Sequence, residues 1–220
     1  MCRAPASPLA SSPVRIVENE SLTGITGGHV LDPAGDRFAE ADVALAGDLI
    51  ADVLAPGSLA GTASSFDASG LFVLPGLIDC HVHLAMRGED ADPSAGASRT
   101  DEDIAGYAAE AAERTLLAGV TSVRDVGGWN YVEMALRDDI ESGRRMGPRL
   151  FLAGRLLSRP TPAVAFYPGM YEVVEGPNEI RAAVRRQLSR GADVIKVMAT
   201  GAMLSPQGED AERCSSDPTS

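Results

Sequence analysis

The run LPGLIDCHVHL, Leu74 to Leu84, places His81 and His83 one residue apart in an otherwise apolar stretch of a chain with three histidines in all. On an extended strand, residues two apart share a face, so Asp79, His81 and His83 are expected to project together while Cys80 and Val82 face the other way. That makes Cys80 a packing residue. Neutral imidazole is the commonest side-chain ligand of zinc and related divalent ions. One histidine in a core is usually a hydrogen-bonded structural residue; two on one face of a buried run favour a metal.

The second stretch with chemical content is GADVIKVMATGAMLSP. Its strand VIKVM is apolar on both faces, as a central parallel strand is, except at Lys196. An ammonium buried there without a partner is costly. Taken alone, Lys196 is open to three readings. It can snorkel at the strand end, form a Schiff base with a carbonyl substrate as in lysine-dependent aldolases, or be carbamylated by CO2 into a carboxylate that bridges two divalent metals. Beside His81 and His83, the third is favoured.

Such a constellation needs strands ending on a common rim. From Leu71 onward the pattern alternates strand, helix, strand, the signal for βα units and a parallel sheet. Strands are expected around Phe72 to Leu84, Val120 to Asp125, Leu150 to Gly154 and Val194 to Met198. Between the first two, Thr100 caps a helix with an acidic first turn, an apolar stripe of Ile104, Tyr107, Ala108, Ala111 and Ala112, and a stop at Gly119. A second helix carries Val132, Ala135, Leu136 and Ile140 and ends at Gly143. A third opens at Pro177, runs through Ile180, Ala183, Val184 and Leu188, and closes at Gly191. Before these, residues 14–71 read as a small β unit of short strands with Asp32-Pro33-Ala34-Gly35 and Gly47-Asp48 as turns. His29 lies in that unit, where a structural or surface role is expected.

Composition narrows the function. With 45% hydrophobic but only 5% aromatic residues, the chain suits helices packed on a parallel sheet, an α/β class. A net charge of −12, from 31 acidic and 19 basic residues, argues against nucleic acid or an anionic membrane as partner. Cys2, Cys80 and Cys214 form no paired spacing, which fits a reducing cytoplasm. Residues 1–13 lack the apolar core of a signal peptide and read as a disordered tail, as does 206–220. No apolar run approaches the ~18 residues of a membrane helix, and no G-x-G-x-x-G or Walker loop follows a strand.

At ASGLFVLPGLIDCHVHL, LLAGVTSVRDVGG, GPRLFLAGRLLS and GADVIKVMATGAMLSP, with GGHVLDP opening the small β unit, the chain resembles the amidohydrolase superfamily, in particular its imidazolonepropionase-like and Xaa-Pro dipeptidase-like branch. The resemblance implies a (β/α)8 barrel with an appended β-sandwich, of which residues 72–205 would supply the first four βα units and 14–71 part of the sandwich. It implies one or two divalent metals, usually zinc, with His81 and His83 as ligands and Lys196 as the carbamylated bridge. A metal-activated hydroxide would then attack the carbonyl of a small amide, cyclic amide or Xaa-Pro dipeptide. Members also draw one histidine each from the fifth and sixth strands and an aspartate from the eighth. The 149 residues from Phe72 onward compare with about 250 for a full barrel. We therefore expect at most weak activity from these residues alone, and a homo-oligomer or a complementing C-terminal half as partner. Arg124 and Asp125 end the second strand as a candidate pair, either in the active site or closing the barrel end. Tyr167 and Tyr171, in the loop after the third strand, are candidate substrate contacts.

Overall fold

The alternating pattern ahead of the histidines folds as five strands: β1 (Thr23–Leu31), β2 (Phe38–Ala46), β3 (Leu49–Leu54), β4 (Ser65–Asp67) and β5 (Phe72–Val73). The computed structural model describes residues 23–32, 35–62, 64–86 and 98–199; the expected tails at 1–13 and 206–220 lie outside them. The chain divides into two compact units, one ending at Pro75 and one beginning at Gly76. In the first, β1, β2 and β3 are antiparallel neighbours, while β4 and β5 run parallel to β1. Gly47, at φ 57°, makes the β2–β3 turn where the sequence places it. Pairing of β1 with β2 slips between Ile25 and Gly28. The fully buried Asp42 secures that irregularity by accepting the N–H of Gly27 at 2.9 Å and of Leu59 at 3.0 Å. Phe72 and Val73, expected at the head of the first barrel strand, pair instead with His29 and Val30. The His29 ring lies 5.4 Å from that of Phe72, a packing role.

In the second unit β6 (Leu77–Val82), β7 (Val120–Asp125) and β8 (Arg149–Leu152) are parallel neighbours in that order. A second parallel group places β9 (Leu156–Ser158) between β10 (Tyr171–Val173) and β11 (Val197–Met198). The third expected strand is thus broken by Gly154, at φ 67°. The fourth is regular only over Val197–Met198. Its approach is nonetheless tied to the third: Asp193 N donates to Leu152 O at 2.8 Å, and Leu157 N to Lys196 O at 2.9 Å.

Among the described residues four helices separate these strands: α1 (Asp101–Leu117), α2 (Val132–Glu141), α3 (Ala163–Phe166) and α4 (Gly176–Ser189). α1 starts as the sequence predicts, with Thr100 and Asp103 forming a reciprocal capping box. Val123, Leu150 and Leu152 pack against Ala108 and Ala112 of α1 and Met134 and Leu136 of α2 in the main core. The stripe on α2 differs from expectation, because Glu133, Met134 and Leu136 are buried while Ala135 is exposed. On α4, Ala183 and Gln187 are buried and Ile180 and Leu188 are exposed. The opposite face of the sheet is open: Ile78, Arg124 and Phe151 are exposed there. Among the described residues no helix is long and apolar enough to cross a membrane.

Candidate metal centre

β6 is not a regular ladder. Its register against β7 shifts between Asp79 and Val82, and Asp79 Oδ1 turns back to accept the His81 N–H at 3.0 Å. A bulge adds a residue to one strand and re-aims the side chains that follow, so the strict alternation expected from Asp79 to His83 does not hold. Cys80 is exposed rather than packed, and its carbonyl accepts Arg124 Nε at 2.8 Å. The two imidazoles still meet, with centroids 5.5 Å apart and planes inclined at 72°.

His83 is held at its inner nitrogen. Nδ1 lies 3.0 Å from Gly127 O, and because a carbonyl only accepts, this contact puts the proton on Nδ1 and leaves the Nε2 lone pair available. Glycine makes the approach possible, since a Cβ on Gly127 would sit 3.0 Å from the His83 ring. The Gly127 N–H in turn donates to Asp125 Oδ1 at 2.9 Å, and the Leu84 N–H to Asp125 Oδ2 at 2.9 Å. Burial raises the Asp125 pKa, opposed by those two N–H donors and by the nearby imidazoles. One carboxylate therefore ties the residue after His83 to the turn that holds its ring. Asp125 is buried and Arg124 exposed on successive positions of β7, so the two do not pair with each other.

His81 is more open. Desolvation first, then the positive charges of Lys196, His83 and Arg124, lower its pKa against the opposing charge of Asp79, which favours the neutral form that a metal requires. The same influence places the Lys196 amine within electrostatic reach of His81. His81 and His83 thus meet, and the charge of Lys196 is felt at His81. Among the described residues no three His, Cys, Asp or Glu side chains converge on a common point.

Tyr171 is buried with Ala85, Trp129, Leu156 and Met170, and Tyr167 packs against the same cluster. Asp125, a candidate from the sequence, enters through its clamp on Gly127, a contact the sequence does not show. Glu133 is a buried neighbour that the sequence does not mark, its carboxyl so near Gly128 that a Cβ there would stand 1.9 Å from it. Neither Glu133 oxygen has a hydrogen-bond partner among the described residues, and burial, with the Asp125 charge, pushes its pKa up to about 7. The readable signal for both was the Asp-Val-Gly-Gly sequence at the strand end, where two glycines in a row make room for other side chains.

The family profile of the amidohydrolases matches residues 72–218. Ochratoxinase of Aspergillus niger is 32% identical over 159 residues, which is 60% of this chain and 32% of that protein. The crystal structure of A. niger ochratoxinase aligns with a TM-score of 0.73 at 26% identity, covering 87% of this chain and 49% of that one. A Xaa-Pro dipeptidase with methionine bound in its active site aligns with a TM-score of 0.72 at 32% identity, covering 84% of this chain and 48% of the other. A prolidase complexed with N-methylphosphonate-L-proline gives a TM-score of 0.72 at 31% identity, covering 85% and 48%. The chain spans less than half the length of each of these proteins.

Proposed function

This chain belongs to the amidohydrolase family, and from that membership we propose that it carries the first part of a metal-dependent hydrolase centre acting on carbon–nitrogen bonds. Amides, cyclic amides and Xaa-Pro dipeptides are the substrate classes. The supporting observation is the meeting of the His81 and His83 rings, centroids 5.5 Å apart, with His83 Nδ1 held against Gly127 O.

The donor chemistry fits a zinc-type ion, because two imidazoles meet and imidazole is a common zinc ligand. His81 and His83 would hold the ion, joined by Lys196 once its amine has taken up CO2, forming an N–C bond and releasing a proton to leave a carbamate. Bound there, the ion supplies Lewis-acid activation of a carbonyl and of water. The chain's own work is to favour the neutral form of His81, to aim His83 through Gly127, and to present Lys196 at the approach to the last described strand. The remaining donors come from strands beyond the described ones, in the same polypeptide or in a second one; coverage of under half of each solved relative favours this completion.

The test is release of amine from a panel of Xaa-Pro dipeptides and N-acyl amino acids, measured with zinc, with a chelator, and with borohydride. Strands five to eight of an amidohydrolase barrel are supplied in trans in a parallel set. We expect weak, chelator-sensitive, borohydride-insensitive turnover that rises with the added strands. Borohydride trapping at Lys196, or no amine released under any condition, would refute the reading.

A further inference from the structure

We propose that Asp125 is a positioning residue for His83, acting through the backbone of the turn that holds the imidazole. This rests on the metal-centre reading above, and extends it to a residue that touches no ion or substrate. Asp125 is 1% exposed, and each of its oxygens takes one backbone N–H, from Gly127 and from Leu84. Leu84 immediately follows His83, and Gly127 O is the acceptor for His83 Nδ1. The carboxylate therefore fixes both ends of the lever that sets the ring: the backbone leaving His83 and the carbonyl receiving its Nδ1 proton. The tie joins residues 41 apart in sequence, from the end of β6 to the end of β7, and no regular ladder bond reaches this far, since the β6–β7 pairing stops at Val82 and Asp125.

The loop around the clamp is over-determined in a way consistent with positioning. Asn130 and Tyr131, both non-glycine, sit in the left-handed region at φ 48° and 66°, a conformation that persists where neighbours enforce it. Gly127 and Gly128 are both closely approached, by the His83 ring on one and the Glu133 carboxyl on the other, so the turn has little freedom to restore the His83 contact if the clamp is lost. Partners of a ligating histidine's second nitrogen set its tautomer and orientation. Asp125 controls that partner at one remove.

Asp125→Asn keeps the side-chain shape but turns one acceptor into a donor facing an N–H. In the metal-free chain at pH 8, long-range 1H–15N NMR should show His83 as a single tautomer with its proton on Nδ1, and Asp125→Asn should convert this to a mixture. Zinc affinity measured by titration should fall about 10- to 100-fold, whereas Asp42→Asn, in the other unit, should leave both readings as in the parent. A parent His83 protonated on Nε2, or a variant with tautomer and zinc affinity both unchanged, would overturn the proposal. Should Asp125→Asn fail to fold, amide exchange in the parent decides: slow exchange at Leu84 and Gly127 is expected, and free-peptide rates at both would overturn it. If the tautomer shifts in a chain that binds no zinc, the clamp stands and the metal reading falls.

Discussion

Both units of the chain bury an aspartate whose two oxygens each take a backbone N–H: Asp42 accepts from Gly27 and Leu59, Asp125 from Leu84 and Gly127. Each sits at a departure from regular pairing, the slip in β1 for Asp42 and the end of the β6–β7 ladder for Asp125. Amides freed by an irregularity must find acceptors when buried, and a carboxylate can serve two at once. What differs is the next atom along. Beyond Asp42 lie only strand and turn, whereas beyond Asp125 lies the imidazole of His83. The same structural device acquires a chemical consequence only through its neighbour, so burial and hydrogen bonding of a carboxylate do not by themselves mark a site.

Glu133 sharpens the contrast, being equally buried but with desolvation outweighing the backbone groups that favour its charged form. Three outcomes separate these carboxyls. The largest is for Asp42→Ala, which leaves two buried amides unpaired and should cost about 3 kcal/mol of stability with no change in zinc affinity; denaturant unfolding and zinc titration on one sample check both. Next is Glu133→Gln. With a folded-state pKa of about 7 against 4.5 otherwise, Glu133 is protonated in both states below the lower value. As pH rises from there to about 7, only the unfolded chain ionises, so stability falls across that window and stays reduced above it. The loss is roughly 3 kcal/mol. The glutamine variant should be more stable than the parent by about that amount at pH 8 and nearly equal to it at pH 4; parallel pH profiles for the two would contradict this. Smallest in stability, but decisive for the site, is Asp125→Asn as set out above.

The sequence made the α/β alternation, the Thr100 cap, the Gly47 turn and the His81–His83 pair legible, because each depends on local periodicity or on one residue's backbone preference. Features set by packing across strands were not legible. The register shift between Asp79 and Val82 is one, since HVH reads the same with or without it. Glu133 replaces Ala135 on the buried side of α2 because the double glycine opens a pocket for it, a matter of residues one turn and one loop apart. Tyr171, in a stretch whose sequence reads as loop, is a buried strand residue, since β10 pairs with β9. The donors were readable by type, while the residues that aim them depended on distant parts of the chain meeting.

The most direct test of the centre itself is a zinc titration of the metal-free chain against a His81→Asn/His83→Asn double variant, with far-UV circular dichroism confirming that both are folded. A zinc affinity in the parent that drops by at least about 100-fold in the variant, more than 2.7 kcal/mol, is the outcome expected if the two imidazoles form the cation site. Equal affinity in the two proteins would mean that the histidines meet on the open face for some purpose other than holding a metal.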